Sequence, residues 1–405
     1  MSFIYGVNLG LGVRGALLHG HLCPDFTVQY NPEINYFALK NLHYTLLVLM
    51  LVSFASCEGE APVPEESPLQ KLVADYNKGT EGLKYYYPRE EYFAMGAAIE
   101  PASLDKPGEV ALLKRHFNSL TAENVMKWST LQPTEGTFNF GPADRIVDFA
   151  QANGMIVFGH TLCWHNQVPE WVFRDGAAAA SKELVLQRLE THITTVMTHF
   201  KGKIYGWDVV NEAIDDGSGT YKNNNWYQIC GADYIYKAFE TARATDPAAK
   251  LFYNDYSATY ATKREKIYSL LVDLKGRGLV DGMGLQGHWN TEAPSDELIT
   301  AAFERYKSVG IELRISEMDV SIYPSESNPE SEYTSWISLK QASAFGRFFS
   351  LFRLYRNDIS GVTFWGLADN HTWLDNFPVT GRKNYPLLFD VKLVPKQAYF
   401  TVTDF

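Results

Sequence analysis

From about residue 92 onward the chain alternates short apolar runs with longer amphipathic stretches. The apolar runs, rich in aromatic and β-branched residues, read as strands at 92–99, 119–128, 155–164, 204–212, 250–256, 282–289, 311–320 and 361–368. The stretches between and after them repeat at helical spacing: 108–117, 143–152, 181–200, 233–244, 261–276, 295–306, 335–356 and 395–401. Eight such alternations over roughly 310 residues predict a single (β/α)8 barrel, an α/β fold of about 250 residues that tolerates insertions. An open doubly wound sheet would carry a Gly-rich phosphate turn after an early strand, and none is present. There is no internal repeat and no sign of a second domain in this region.

The N-terminal part has a different character. Residues 1–38 show no periodicity. Lys40 and His43 then precede the apolar run Thr45–Val52 and the small residues of Phe54-Ala55-Ser56-Cys57. A basic start, a short apolar run and a small-residue cut site are the parts of an export signal, and the run is too short for a spanning helix of about 20 residues. The segment ending in Cys57 resembles a bacterial lipoprotein cleavage box, which makes Cys57 the expected lipidated residue. Because this signal begins near 39, translation is expected to start at Leu39, with 1–38 an upstream extension. The reading therefore divides the chain into an extension (1–38), a signal (39–57), a Pro- and Glu-rich tether (58–68) and the barrel (69–405).

Composition adds limits. With 46% hydrophobic and 14% aromatic residues, the core is well supplied; 9 Trp and 24 Tyr exceed its needs and offer flat faces for sugar rings. A net charge of −11 argues against nucleic acid or an anionic membrane as the principal ligand. Contact with a membrane is expected only through the lipid anchor, and the protein is expected to be a monomer. The four cysteines, Cys23, Cys57, Cys163 and Cys230, have no metal-ligand spacing. Neither metal nor cofactor is expected.

The chemistry collects at strand ends. GWDVVNEA (206–213) is a strand finishing in Asn211-Glu212, and Glu317 lies near the end of IELRISEMDV (311–320). Polar groups are costly to bury, so their place at the end of an apolar strand points to function. Two carboxylates from different strands facing one site are the minimum equipment for hydrolysing a glycosidic bond. Other strands end in Glu123-Asn124 with Lys127, in His160 and Trp164, in Asn254-Asp255-Tyr256, in Gln286-Gly287-His288, and in Trp365 with Trp373 beyond. Singly, each has a plainer reading. His160 could be a core histidine, Trp128 and Trp289 packing, Asp208 a structural partner, and Cys163 a small buried hydrophobe. The combination is what carries information.

The motifs TAENVMKW, GHTLCWHNQVPEW, WDVVNEA, NDY, LQGHW, ISEMDV and FWG…HTWL…NYPLLFD resemble, in order, those of glycoside hydrolase family 10, the endo-β-1,4-xylanases. The resemblance implies a (β/α)8 barrel that cleaves internal β-1,4 bonds of xylan and xylo-oligosaccharides with retention of configuration. It implies Glu212 as acid/base and Glu317 as nucleophile, supported by Asn211, His288 and Asp319. Glu123, Asn124 and Lys127 would contact the glycone. His160, Trp164, Asn211, Gln286 and His288 would surround the cleaved sugar, Trp365 and Trp373 would stack on the glycone, and Tyr256 would lie toward the aglycone. Glu212 should start protonated, its pKa raised by burial and by the neighbouring carboxylate. A β-1,4-glucanase or dual-specificity enzyme is the alternative within hydrolases, and a non-catalytic glycan-binding lipoprotein the alternative outside them.

Overall fold

The computed structural model describes residues 67–405. The anticipated extension, the signal with Cys57 and most of the tether lie outside the described residues. The described part opens with a helix, Pro68–Lys78, started by a reciprocal pair: the Ser67 hydroxyl accepts the Gln70 N–H, and the Gln70 side chain accepts the Ser67 N–H.

Eight parallel strands follow: β1 Ala94–Ile99, β2 Ser119–Ala122, β3 Ile156–Cys163, β4 Gly206–Asn211, β5 Lys250–Asp255, β6 Gly282–Leu285, β7 Glu312–Ser321 and β8 Ile359–Phe364. Each pairs with the next in the chain, and β8 pairs with both β7 and β1, so the sheet closes. The crossovers carry α1 Pro107–His116, α2 Gly141–Ala152, α3 Lys182–His199, α4 Asp233–Thr245, α5 Ala261–Gly276, α6 Asp296–Lys307 and α7 Ser335–Leu354, with α8 Gln397–Thr403 last. Ser181, Ser295 and Thr334 each accept an N–H of the first turn of α3, α6 and α7, satisfying donors that a helix start leaves free. Strands such as β1 (AMGAAI) are buried throughout, because one face meets the barrel interior and the other the helix shell.

The interior itself is partly polar. Phe158 of β3 meets Phe252 of β5 edge to face at 5.1 Å, and the guanidinium of Arg314 from β7 lies 4.1 Å above Phe158. Arg314 is wholly buried and donates to Thr363 Oγ1 at 2.6 Å. Asp208 of β4 is buried as well, and binds His160 of β3 at 2.9 Å. It is a structural partner, as expected, and its partner is on the neighbouring strand.

Three strands stop well before their apolar pattern suggests: β8 ends at Phe364, and the early stops of β2 and β6 serve the cleft. β2 ends at Ala122; Glu123–Lys127 turns, with the Lys127 N–H on Asn124 O at 3.0 Å, and Trp128 begins a short helix, Trp128–Leu131. β6 ends at Leu285. Gly287 then takes φ 81°, and His288–Asn290 resumes pairing with β7 at Asp319–Ser321. A Cβ at 287 would stand 2.9 Å from Ile315 Cγ2, so both the turn and the close approach require glycine. That turn aims His288 at the end of β7.

Candidate active site

The C-terminal ends of the strands surround one cleft of about 710 Å3, within the usual size range for a small-ligand site. Glu123, Asn124, Lys127, His160, Trp164, Asn211, Glu212, Tyr256, Gln286, His288, Glu317, Asp319, Trp365 and Trp373 all line it. Fourteen positions spread over more than half the chain are thus brought to one place by barrel closure. Cys57 lies outside the described residues.

Glu212 follows β4 directly and has φ 58°, a left-handed conformation that costs a non-glycine residue roughly 1 kcal/mol or more. Its N–H bonds Asn254 O at 2.9 Å, which holds the bend. A relay of three amides joins it to Glu317. Gln286 Nε2 donates to Glu212 Oε1 at 3.0 Å and lies 3.2 Å from Asn211 Oδ1. Asn254 Nδ2 donates to Asn211 Oδ1 at 3.0 Å and to Glu317 Oε1 at 2.6 Å. The Ser316 hydroxyl donates to Asn254 Oδ1 at 2.6 Å, which fixes that amide with its nitrogen toward Glu317. Turning the Asn211 amide over would let its oxygen accept the Trp164 indole N–H at 3.3 Å and its nitrogen donate to Asn254 O at 3.2 Å. It would also set its nitrogen against two other amide nitrogens, so the orientation with oxygen toward both donors is the consistent one.

Glu317 has a second set of partners. His288 Nε2 is 3.3 Å from Glu317 Oε2, and His288 Nδ1 is 2.9 Å from Asp319 Oδ2, which also accepts the Trp373 indole N–H at 2.8 Å. Burial works against a charged His288, but Asp319 and then Glu317 outweigh it and raise its pKa to about 10. His288 is therefore an imidazolium at neutral pH, pinned between two carboxylates. His160 is the opposite case. Burial lowers it to about 4 and pushes its partner Asp208 up to about 8, so the pair sits in the barrel with little net charge.

The acid/base candidate departs from expectation. Burial does raise Glu212, but donation from Gln286 and Trp164 and the charge of Lys222, whose Nζ is 3.7 Å from Glu212 Oε2, leave its pKa below the ordinary value. The expected raised pKa is thus absent, because hydrogen bonds to the charged form and the nearby cation outweigh desolvation. His165 Nδ1 is 3.9 Å from the same oxygen, and burial holds that imidazole down at about 4.

Aromatic walls line the rest. Trp365 meets His160 edge to face at 5.1 Å, and Trp373 meets His288 at 4.8 Å and stacks on the exposed Phe377 at 4.9 Å. Lys127 Nζ donates to Asn124 Oδ1 at 3.0 Å and lies 4.9 Å over the Trp164 ring. Tyr256 is covered by Lys263 at 3.7 Å and Lys222 at 5.0 Å. Trp128, by contrast, stacks on His192 at 3.7 Å, a packing residue as expected; Trp289 packs on Phe348 at 4.6 Å but also lines the cleft. Cys163 is a buried free thiol.

Several participants carry no assigned role in the sequence reading. Asn254 was visible at the end of β5 beside Tyr256. Lys222 and Arg382 stand in loops with no periodic signal. His371 binds Glu123 at 3.1 Å, and Glu100 accepts from Asn124 at 2.7 Å; both belong to segments whose approach to β2 only the fold reveals. Among the described residues no group of three His, Cys, Asp or Glu side chains is placed to hold a metal ion.

The model of glycosyl hydrolase family 10 matches residues 83–405. The chain is 46% identical over 315 residues to endo-1,4-beta-xylanase B of Paenibacillus barcinonensis, covering 76% of this chain and 94% of that one. It is 42% identical over 376 residues to a beta-1,4-xylanase of Dictyoglomus thermophilum, covering 90% and 99%. A crystal structure of the Paenibacillus barcinonensis xylanase complexed with a conduramine derivative superimposes with a TM-score of 0.77 at 45% identity, covering 80% of this chain and 98% of that one.

Proposed function

The chain belongs to glycosyl hydrolase family 10, and from that premise we propose that it is an endo-β-1,4-xylanase acting by a two-carboxylate double displacement. The observation that carries this reading is the relay Glu212–Gln286–Asn211–Asn254–Glu317, which holds two carboxyl groups on one cleft floor between aromatic walls. Retention requires carboxyls about 5–5.5 Å apart, with one touching the anomeric carbon and the other reaching the leaving oxygen. Glu317, aimed by Asn254 and the His288 imidazolium, is suited to attack. Glu212, bent into the cleft, is suited to give a proton and later take one from water.

The proton is the delicate part. Gln286, Trp164 and Lys222 favour the Glu212 anion. When sugar fills the cleft, water leaves and desolvation, already the largest influence on this group, grows. Substrate binding therefore favours the protonated, neutral acid. Asn211 Nδ2 donates one N–H to Glu212 Oε1 at 3.4 Å, and its second N–H is suited to a sugar 2-hydroxyl, a contact that strengthens as positive charge develops on the ring.

The test is Glu317→Ala. Turnover should vanish with binding of xylo-oligosaccharides kept, and azide should restore cleavage of an activated aryl xylobioside with inverted product. Wild-type activity in this variant would refute the assignment. The proposal extends to the cell: the pattern ending at Cys57 supports an exported, lipid-anchored enzyme. Mass analysis of the native N-terminus tests it, and peptides from 1–38 would refute the start at Leu39.

A further inference from the structure

We propose that Arg382, in the loop after β8, is a recognition point for a carboxylate carried as a side group on the sugar chain, so that uronic-acid-substituted xylan is a preferred substrate. The proposal rests on the xylanase reading and deepens it.

Arg382 lines the cleft yet is itself buried. Its guanidinium lies 4.1 Å over the Tyr323 ring, and its Nη1 donates to the backbone carbonyls of Glu326 at 2.9 Å and Asn328 at 2.7 Å. One nitrogen and one face are thus committed to the loop after β7, which sets the plane of the group. Nε and Nη2 are left. Neither bonds to protein, and neither belongs to the buried polar atoms that lack a partner, so neither is sealed from the cleft that Arg382 lines. These two nitrogens form one edge of the guanidinium, the edge that grips a carboxylate with two parallel N–H···O bonds.

The guanidinium charge is not matched within the protein. Several other arginines here are matched to a carboxylate: Arg188 to Glu135, Arg243 to Asp281 and Arg347 to Asp296. Among the described residues no carboxylate pairs with Arg382. Glu326 lines the same cleft but offers Arg382 its carbonyl, not its acid group. A cation fixed in position before its partner arrives loses little freedom on binding. A neutral hydroxyl of the sugar backbone would use one of the two donors. A carboxylate uses both, and uronic acids are the carboxylates that xylan carries.

The experiment compares kcat/KM on glucuronoxylan, on the same polymer with its carboxyl groups reduced to neutral hydroxymethyls, and on linear xylohexaose. With the wild-type enzyme, the acidic polymer should exceed its reduced counterpart by about tenfold or more, the scale of one charge-assisted hydrogen-bond pair. In Arg382→Gln that ratio should collapse toward one, whatever happens to the absolute rates through loosening of the loop. Arg382→Lys should keep part of it. Equal rates of the wild type on acidic and reduced polymers would overturn the proposal, as would an unchanged ratio in the glutamine variant. Inactivity of the wild type on xylohexaose would instead overturn the xylanase reading.

Discussion

Asp319→Asn tests the electrostatics beside Glu317 most directly. Asp319 is buried and accepts from His288 Nδ1 at 2.9 Å and from the Trp373 indole at 2.8 Å. Its charge is the strongest influence holding the proton on His288, with Glu317 next. The rise from 6.5 to about 10 corresponds to roughly 5 kcal/mol of preference for the imidazolium, at about 1.4 kcal/mol per pH unit. An amide is isosteric and keeps a contact to the indole but removes the charge, so His288 should titrate well below 10. Above that new pKa the imidazole no longer gives Glu317 a charge-assisted hydrogen bond, and kcat should fall by about 100-fold, the upper range for losing an orienting partner. Stability should follow. A raised folded-state value contributes stability that is complete below the unfolded value and lost as pH climbs through about 10; the variant should lack this alkaline loss. The assay is histidine side-chain NMR titration alongside pH profiles of turnover and of thermal unfolding. A His288 that titrates near 10 in the variant, or near 6.5 in the parent, would refute the reasoning.

Other outcomes follow from the same geometry. Lys222→Met removes the cation 3.7 Å from Glu212 Oε2, so the alkaline limb of kcat/KM should move to higher pH; an unmoved limb would show that Lys222 does not hold the acid down. In the wild type, the alkaline limb of kcat should lie above that of kcat/KM, because the bound complex is drier than the free cleft. Coincident limbs would count against activation by substrate. Glu212→Ala should slow substrates with poor leaving groups far more than activated aryl glycosides, and equal losses on both would remove its role as acid. Gly159→Ala would place a Cβ 2.1 Å from the Trp207 ring, an overpacking cost of about 1–3 kcal/mol, read as a fall in Tm; an unchanged Tm would mean that the β3–β4 contact has slack.

The sequence by itself determined the eight alternations, because each strand and helix writes its period into consecutive residues and a closed barrel is the economical way to bury them. It also determined which chemistry stands at each strand end, since Asn211-Glu212, Gln286 with His288, and Glu317 with Asp319 are local words. Tertiary structure alone decided what those words do to one another. That Asn254 completes the relay, that Lys222 reaches Glu212, and that His371 returns to Glu123 are matters of loops meeting across the barrel mouth. Protonation belongs to the same class. Glu212 was expected raised and is lowered, while His160 and His288 carry the same side chain in opposite states. A pKa depends on burial and on the charges within a few ångströms, and those neighbours come from distant parts of the chain.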